Sequence, residues 1–97
     1  MSLRLDLNNP VLQEQWFALE KPDRAVVLNS CVKLAKMEWH SLFRDNGLRW
    51  EMIHSRKHSG SEALYSLRIT QKIRAVTRRT GNTLELLTLH PDHDSPY

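Results

Sequence analysis

The fold is decided by the stretch ALYSLRITQKIRAVT at positions 63–77. Apolar and polar residues alternate in both halves of it, which is the pattern of half-buried β-strands. The residues that share a face are Ala63, Tyr65, Leu67 and Ile69 in the first half and Ile73, Ala75 and Thr77 in the second. A link this short joins antiparallel neighbours, because parallel strands need a crossover of about a dozen residues. The stretch therefore predicts an antiparallel strand pair with a tight turn near Gln71.

Further strands are predicted on either side of this pair. Leu48, Trp50 and Met52 alternate before it, followed by a polar loop at positions 55–61. After it, the segment 80–82 (Thr-Gly-Asn) offers the positive backbone dihedrals of a hairpin turn. The last run places Leu84, Leu86 and Thr88 on one face, and a short first strand is predicted where Leu3, Leu5 and Leu7 alternate with charged residues.

Two helices are predicted between the first strand and the antiparallel strands that begin at Leu48. The pair Asn9-Pro10 is typical of a helix start, Lys21-Pro22 interrupts the helix and begins a second, and Gly47 is expected to end that one in a left-handed conformation. The apolar stripes consist of Leu12, Trp16 and Leu19 on the first helix and Leu28, Cys31, Val32, Ala35, Trp39 and Leu42 on the second. The predicted fold class is α+β, with an N-terminal helical hairpin packed on a twisted, mainly antiparallel sheet.

Length and composition indicate one domain spanning residues 1–97, because 97 residues with 40% hydrophobic content cannot fill two cores. No apolar run approaches the roughly 20 residues of a membrane helix, and the first residues lack a signal-peptide core. We therefore expect a soluble, cytoplasmic protein without a membrane partner. A single cysteine, Cys31, excludes a disulfide framework and a cysteine-rich zinc ribbon and is expected to be buried.

Positive charge is concentrated in the third quarter of the chain. Positions 49–83 carry eight basic residues and only Glu51 and Glu62 as acidic ones, a local charge of +6 in a chain of net charge +3. The basic residues are Arg49, Arg56, Lys57, Arg68, Lys72, Arg74, Arg78 and Arg79. Such a concentration attracts polyanions, nucleic acid first among them, while the alternative is a solvated charged face without a partner.

Three arginines are predicted on the sheet face opposite the apolar one. Side-chain alternation places Arg68, Arg74 and Arg78 there, if the register of the hairpin allows it. Guanidinium groups on adjacent strands form a rigid anion clamp that suits phosphate. The alternative is that Arg68 pairs with Glu51 or Glu85 and ties the strands together.

Histidines near the end of the chain are candidates for acid–base chemistry. His90 and His93 lie beside Asp92 and Asp94, carboxylates that can orient an imidazole or raise its pKa. The alternative for His90 is a residue that merely ends a strand. His54 and His58 lie in a Ser/Gly-rich stretch without a zinc-binding spacing, so neither a metal nor another cofactor is expected. The three tryptophans, Trp16, Trp39 and Trp50, are interpreted as packing residues rather than nucleobase platforms.

Taken in order, three segments of the sequence resemble the RelE/ParE toxin superfamily of bacterial toxin–antitoxin systems. They are the strand LYSLRIT at 64–70, the strand KIRAV at 72–76 and the ending HPDHDSPY at 90–97, preceded by a helical hairpin of the expected layout. The resemblance covers roughly residues 47–97. The short, weakly patterned first strand departs from the family.

This resemblance implies a twisted sheet whose basic face forms an RNA site. RelE-like members cleave mRNA, usually at the ribosome and without metal, by driving the ribose 2′-hydroxyl onto the adjacent phosphate. ParE-like members inhibit DNA gyrase instead, and an antitoxin protein neutralises both branches.

The family's site residues carry over to a few positions of this chain. Arg74 matches the arginine that contacts the scissile phosphate, His93 matches a C-terminal acid or base, and Tyr97 matches the terminal tyrosine. Arg56 and Lys57 fall in a loop where many members carry basic residues, and with Arg68 and Arg78 they complete the expected RNA-binding set. Two hypotheses stay open. The first is an RNA-cleaving toxin with an antitoxin, mRNA and the ribosome as partners. The second is a non-catalytic binding module, either a gyrase inhibitor or a superfamily member that has lost activity.

Overall fold

The computed structural model describes residues 3–53 and 63–91, which form three helices and five strands. The elements are β1 (Arg4–Asp6), α1 (Pro10–Phe17), α2 (Lys21–Ala35), α3 (Trp39–Arg44), β2 (Glu51–Met52), β3 (Leu64–Arg68), β4 (Ile73–Thr80) and β5 (Thr83–Pro91). The strands lie in the order β1-β5-β4-β3-β2; β1 is parallel to β5 and the other pairs are antiparallel. The α+β class, with helices preceding a mainly antiparallel sheet, is confirmed. None of the helices in the described ranges is both long and apolar enough to cross a lipid bilayer.

The helical hairpin begins and turns at the residues that predicted it. The Asn9 side chain accepts hydrogen bonds from the backbone N–H groups of Val11 and Leu12, at 2.9 and 3.3 Å, and Pro10 occupies the first helical position. Helix α1 ends at Phe17, and α2 begins at Lys21. The starts of α1 and α2 therefore both use a proline where its missing N–H costs nothing.

The second helix, predicted to continue to the stop at Gly47, is instead two helices. Helix α2 ends at Ala35 and α3 begins at Trp39. Between them the Met37 carbonyl accepts a hydrogen bond from the Leu3 N–H at 3.0 Å. The chain must leave the helical conformation here to pair with the segment entering β1, so a tertiary contact overrides the local periodicity.

The helix stop at positions 45–47 works through Asp45 rather than through glycine. Gly47 does not adopt the expected left-handed conformation; that conformation belongs to Arg49, with φ of 50°. The Asp45 carboxylate accepts hydrogen bonds from the N–H groups of Gly47 and Leu48 and forms an ion pair with Lys33. Burial acts to raise the pKa of Asp45, but the Leu48 hydrogen bond, Lys33 and the Gly47 hydrogen bond together hold the pKa below its usual value.

The buried stripe of α2 is one residue away from part of the predicted one. Val27, Cys31 and Leu34 face the core, whereas Leu28 and Val32 are about half exposed. Both sets have helical spacing, so periodicity alone could not choose between them. Cys31 is buried as expected, and this burial raises the pKa of its thiol to about 11.

A β-bulge in β5 decides which side chains face the helices. Thr77 pairs with Leu86 while the preceding Val76 pairs with Thr88, so Leu87 is an extra residue in β5. Two residues of β5 thus oppose one step of β4, and the alternation of side chains shifts by one position there. Thr88 was predicted on the same face as Leu84 and Leu86. That prediction is wrong, because the bulge turns Thr88 to the opposite face, where it pairs with Val76.

Both faces of the sheet carry apolar clusters. The larger core lies between the helices and the sheet and includes Leu12, Leu34 and Leu67. A smaller cluster, Ile53, Leu64 and Val76 with Leu87 packed against it, lies on the other face. The sheet face that carries the predicted arginines is therefore partly apolar as well as charged.

Candidate nucleic-acid interface

Two of the three predicted arginines form a cross-strand row with a histidine. Arg68 of β3 lies directly opposite Arg74 of β4, and Arg74 lies directly opposite His90 of β5. Directly paired residues point to the same face of a sheet, so these three side chains emerge side by side. Arg78 lies four positions after Arg74 in β4, so its side chain emerges from the same face. The register therefore puts Arg68, Arg74 and Arg78 on one face, as the sequence predicted. We call the row of Arg68, Arg74 and His90 the arginine row.

Arg74 is more enclosed than an open-face arginine, which corrects the expectation that it lies free on the sheet. Only 9% of the residue is exposed. Its Nη2 donates to the Ser66 hydroxyl at 2.7 Å and to Glu51 Oε1 at 3.0 Å. Ser66 is fully buried, whereas the Glu51 side chain is 57% exposed. These partners fix the guanidinium in place, and the Glu51 carboxylate offsets part of its charge.

Arg78 is also engaged by a carboxylate. Its Nε and Nη2 donate to the same Glu85 oxygen, at 3.2 and 2.6 Å. Glu51 and Glu85, the two carboxylates considered as partners of Arg68, are thus bonded to Arg74 and Arg78. Charge-assisted pairs of this kind hold the side chains in place but reduce the charge that a polyanion meets.

His90 owes its place in the arginine row to the bulge. If all residues of β5, Leu87 included, alternated strictly from Leu84 and Leu86, His90 would face the helices, and the bulge turns it to the opposite side. Its Nε2 lies 2.9 Å from the Thr88 hydroxyl, which emerges from the same face. The sequence reasoning left a strand-end role open for His90, and it did not identify Glu51 and Ser66 as partners of Arg74. The alternation of positions 48–52 could have predicted the Glu51 contact, because it puts Glu51 on the opposite face from Trp50, the face that carries Arg74.

A cavity of about 600 Å³ opens at the end of the sheet next to His90. Its walls include Leu19, Ile73 and Leu89, and the lining residue Gln15 accepts a hydrogen bond from the Leu89 N–H at 2.7 Å. The wall is mostly apolar, with Asp23, Lys72 and His90 as its charged or titratable members.

Several predicted site residues lie outside the described residues. They are Arg56 and Lys57 in the loop after β2, and His93 and Tyr97 at the end of the chain, together with His54, His58, Asp92 and Asp94. Within residues 3–53 and 63–91, no three histidine, cysteine, aspartate or glutamate side chains come together as a metal site would require. The described part of the candidate site is thus the arginine row with Glu51, Ser66 and Thr88.

Comparison with solved structures identifies the fold. A chain in the crystal structure of an archaeal RelE-RelB complex from Pyrococcus horikoshii aligns with a TM-score of 0.68 at 15% identity, over 98% of this chain and 100% of that one. A copper-bound mutant toxin from Helicobacter pylori aligns with a TM-score of 0.53 at 15% identity, over 94% of this chain and 96% of that one. No protein-family model and no curated protein matches the sequence. The chain has the RelE-like toxin fold.

Proposed function

We propose that this chain is the toxin of a bacterial type II toxin–antitoxin system and acts in the cytoplasm as a metal-free endoribonuclease on mRNA at the ribosome. The observation that carries the proposal is the arginine row, in which Arg68, Arg74 and His90 emerge side by side from a sheet of the RelE-like fold. The reaction is attack of a ribose 2′-hydroxyl on the adjacent phosphate, with the 5′-oxygen of the next nucleotide as the leaving group.

The residue types of the row suit this reaction. Cleavage without metal needs a base for the 2′-hydroxyl proton, an acid for the leaving oxygen and a cation for the charge on the phosphorane. Arginine stays protonated and can donate two hydrogen bonds to phosphate oxygens, so Arg74 takes the cationic role. A histidine can serve as acid or base near neutral pH. His93, through the family resemblance, and His90, through its place beside Arg74, are the candidates, and Tyr97 is proposed to contact the RNA.

Binding of the scissile phosphate requires an exchange of partners at Arg74. Glu51 is more than half exposed, so its carboxylate can leave Arg74 at a small cost when a phosphate arrives. Ser66 is buried and keeps Arg74 in place during that exchange. Arg68, Arg78, Arg56 and Lys57 are proposed to bind neighbouring phosphates.

An antitoxin is the proposed protein partner, since the Pyrococcus structure is a RelE-RelB complex. An acidic segment that folds as it binds would match the positive charge of this chain. Two surfaces can receive it: the arginine row, and the outer side of α2, where Leu28 and Val32 are 52% and 47% exposed. Co-purification with the product of an adjacent short gene would identify the partner.

The decisive experiment is inducible expression followed by mapping of RNA 5′ ends, with plasmid supercoiling measured in the same cells. New 5′ ends within open reading frames, absent for a variant with His90→Ala and His93→Ala, are the expected result. Cleavage of a short RNA should persist in a chelator that removes transition metals, because the proposed mechanism uses only side-chain groups. Restoration of lost activity by zinc or manganese alone would contradict it.

A second candidate function is supported by the enclosure of Arg74. An arginine bonded to Glu51 and Ser66 can serve the fold alone, as in a ParE-like gyrase inhibitor or an inactive binding module. Altered supercoiling without new RNA ends would support gyrase inhibition. Normal growth at high expression, with neither effect, would support the inactive module.

A further inference from the structure

A second surface of the chain combines aromatic rings with a fixed cation. Four rings, those of Trp39, Phe43, Trp50 and Tyr65, contact one another beside α3. Trp50 stacks on Tyr65, with ring centroids 4.4 Å apart and ring planes at 15° to each other. The centroid of the Phe43 ring lies 5.7 Å from that of Trp50 and 5.9 Å from that of Trp39. The guanidinium of Arg79 lies 3.9 Å from the centre of the Trp39 ring. We call these five residues the aromatic patch.

Arg79 is held in place without a carboxylate. Its Nε donates to the Gly81 carbonyl at 3.1 Å, and its guanidinium faces Trp39 and, at 5.7 Å, Phe43. Within the described ranges, no aspartate or glutamate pairs with it, in contrast to Arg74 and Arg78, and the residue is exposed. Its planar charge is thus both oriented and uncompensated, which favours an anionic partner.

The rings of the aromatic patch are reachable from solvent. Phe43 is 48% exposed, and Trp39, Trp50 and Tyr65 are each partly exposed. Two further exposed arginines adjoin the rings in sequence, Arg44 after Phe43 and Arg49 before Trp50. Apolar packing alone would favour covering Phe43. Instead, a flat ring and a stacked guanidinium lie at the surface, with two further exposed arginines next to them in sequence.

We propose that the aromatic patch binds single-stranded RNA, with a base stacked on Phe43 or on the outer face of Arg79 and the backbone phosphates paired with the adjoining arginines. Base stacking on aromatic rings and on arginine planes, together with phosphate contacts, is how proteins hold unpaired nucleotides. An acidic peptide would satisfy the arginines but would not use the exposed rings, so the patch favours RNA over a protein partner.

The aromatic patch is separate from the arginine row. Arg79 pairs with the core residue Leu84 and so emerges on the helix side of the sheet, whereas Arg74 emerges on the other side. They lie five positions apart in β4, roughly 17 Å along the strand. The patch therefore adds a second point of contact for RNA, one that does not depend on whether the arginine row cleaves.

The test measures binding of a fluorescein-labelled, 2′-O-methylated RNA of ten nucleotides to the full chain, because this RNA cannot be cleaved. Phe43→Leu should raise Kd by at least about fivefold, the lower end of the loss expected when one stacked base is given up. The matched control is Phe17→Leu, since Phe17 is 64% exposed and lies on α1, outside the aromatic patch; its Kd should not change.

Arg44→Gln supplies an independent readout through salt dependence, because Arg44 is one of the exposed arginines assigned to the phosphates. Losing one phosphate contact should reduce the slope of log K against log salt by about 0.7 for a single strand. Melting curves confirm that each variant is folded. Equal Kd values for Phe43→Leu, Phe17→Leu and the parent would overturn the proposal, as would loss of binding to a co-purified protein partner with RNA binding intact. Failure of RNA cleavage with these binding effects present would count against the proposed function alone.

Discussion

Replacing Arg74 should cost stability as well as activity, and its contacts with Ser66 and Glu51 set the expected amount. Arg74→Ala leaves the Ser66 hydroxyl buried without its donor, which costs about 1–3 kcal/mol. The ion pair with Glu51 adds at most about 1 kcal/mol, because Glu51 is largely exposed. A central value of about 2 kcal/mol lowers Tm by roughly 8–16 °C for a chain of this size.

Glu51→Gln separates the structural part of this network from the part that competes with RNA. The variant keeps the Arg74–Ser66 hydrogen bond, so the free energy of unfolding should fall by at most about 1 kcal/mol. It also removes the carboxylate charge that would compete with phosphate for Arg74, so affinity for the 2′-O-methylated RNA should increase. Glu14→Gln is the matched control, because Glu14 is exposed on α1 and the change in net charge is the same.

Urea denaturation and RNA titration of the same samples check both expectations. Arg74→Lys should retain much of the stability but bind RNA less well, since lysine lacks the planar fork. An unchanged Tm for Arg74→Ala would refute the hydrogen-bond geometry described for Arg74. A Glu51→Gln variant that binds RNA more weakly than Glu14→Gln would refute the idea that Glu51 competes with phosphate.

Three further predictions concern the scaffold. Burial raises the pKa of Cys31 from 9.0 to about 11, so the thiol should react with iodoacetamide at pH 8 only when the chain unfolds. Because the folded state keeps this proton, the free energy of unfolding should fall as pH rises above about 9. Asp45 has a lowered pKa, so it stabilises the fold above the pKa of the unfolded chain, near 3.9, and loses this contribution as pH falls through its folded pKa; Asp45→Asn should flatten the acid side of a stability–pH curve measured by urea denaturation. Gly81→Ala should destabilise the β4–β5 hairpin by about 1–2 kcal/mol in a thermal melt, because φ there is 59° although a new Cβ would meet no atom within 4 Å; an unchanged Tm would show that the turn adapts.

The sequence predicted the features that depend on local chemistry. Asn9 with Pro10 located the start of α1, and alternation at positions 63–77 located the pairing of β3 with β4. It failed where distant residues decide the conformation. The break at Met37 depends on a hydrogen bond from Leu3, and the buried face of α2 depends on where the sheet lies, neither of which a periodic pattern contains.

The candidate site was predictable to the extent that strand alternation determines it. Alternation alone put Arg74 and Arg78 on one face, but their pairing with Glu51 and Glu85 depends on the three-dimensional spacing of long side chains. The sequence could not predict which face of the sheet carries His90, because no residue between Leu84 and Pro91 indicates a β-bulge. The roles of Arg56, Lys57, His93 and Tyr97 stay predictions.

The bulge and the residue that creates it could be removed together without moving His90. Deleting Leu87 would leave His90 opposite Arg74, because regular alternation from Leu86 reaches that same side once one residue is gone. The deletion would instead remove a side chain from the smaller apolar cluster, together with the additional twist that a bulge gives a strand. A chain without Leu87 should therefore keep the arginine row and lose packing next to it.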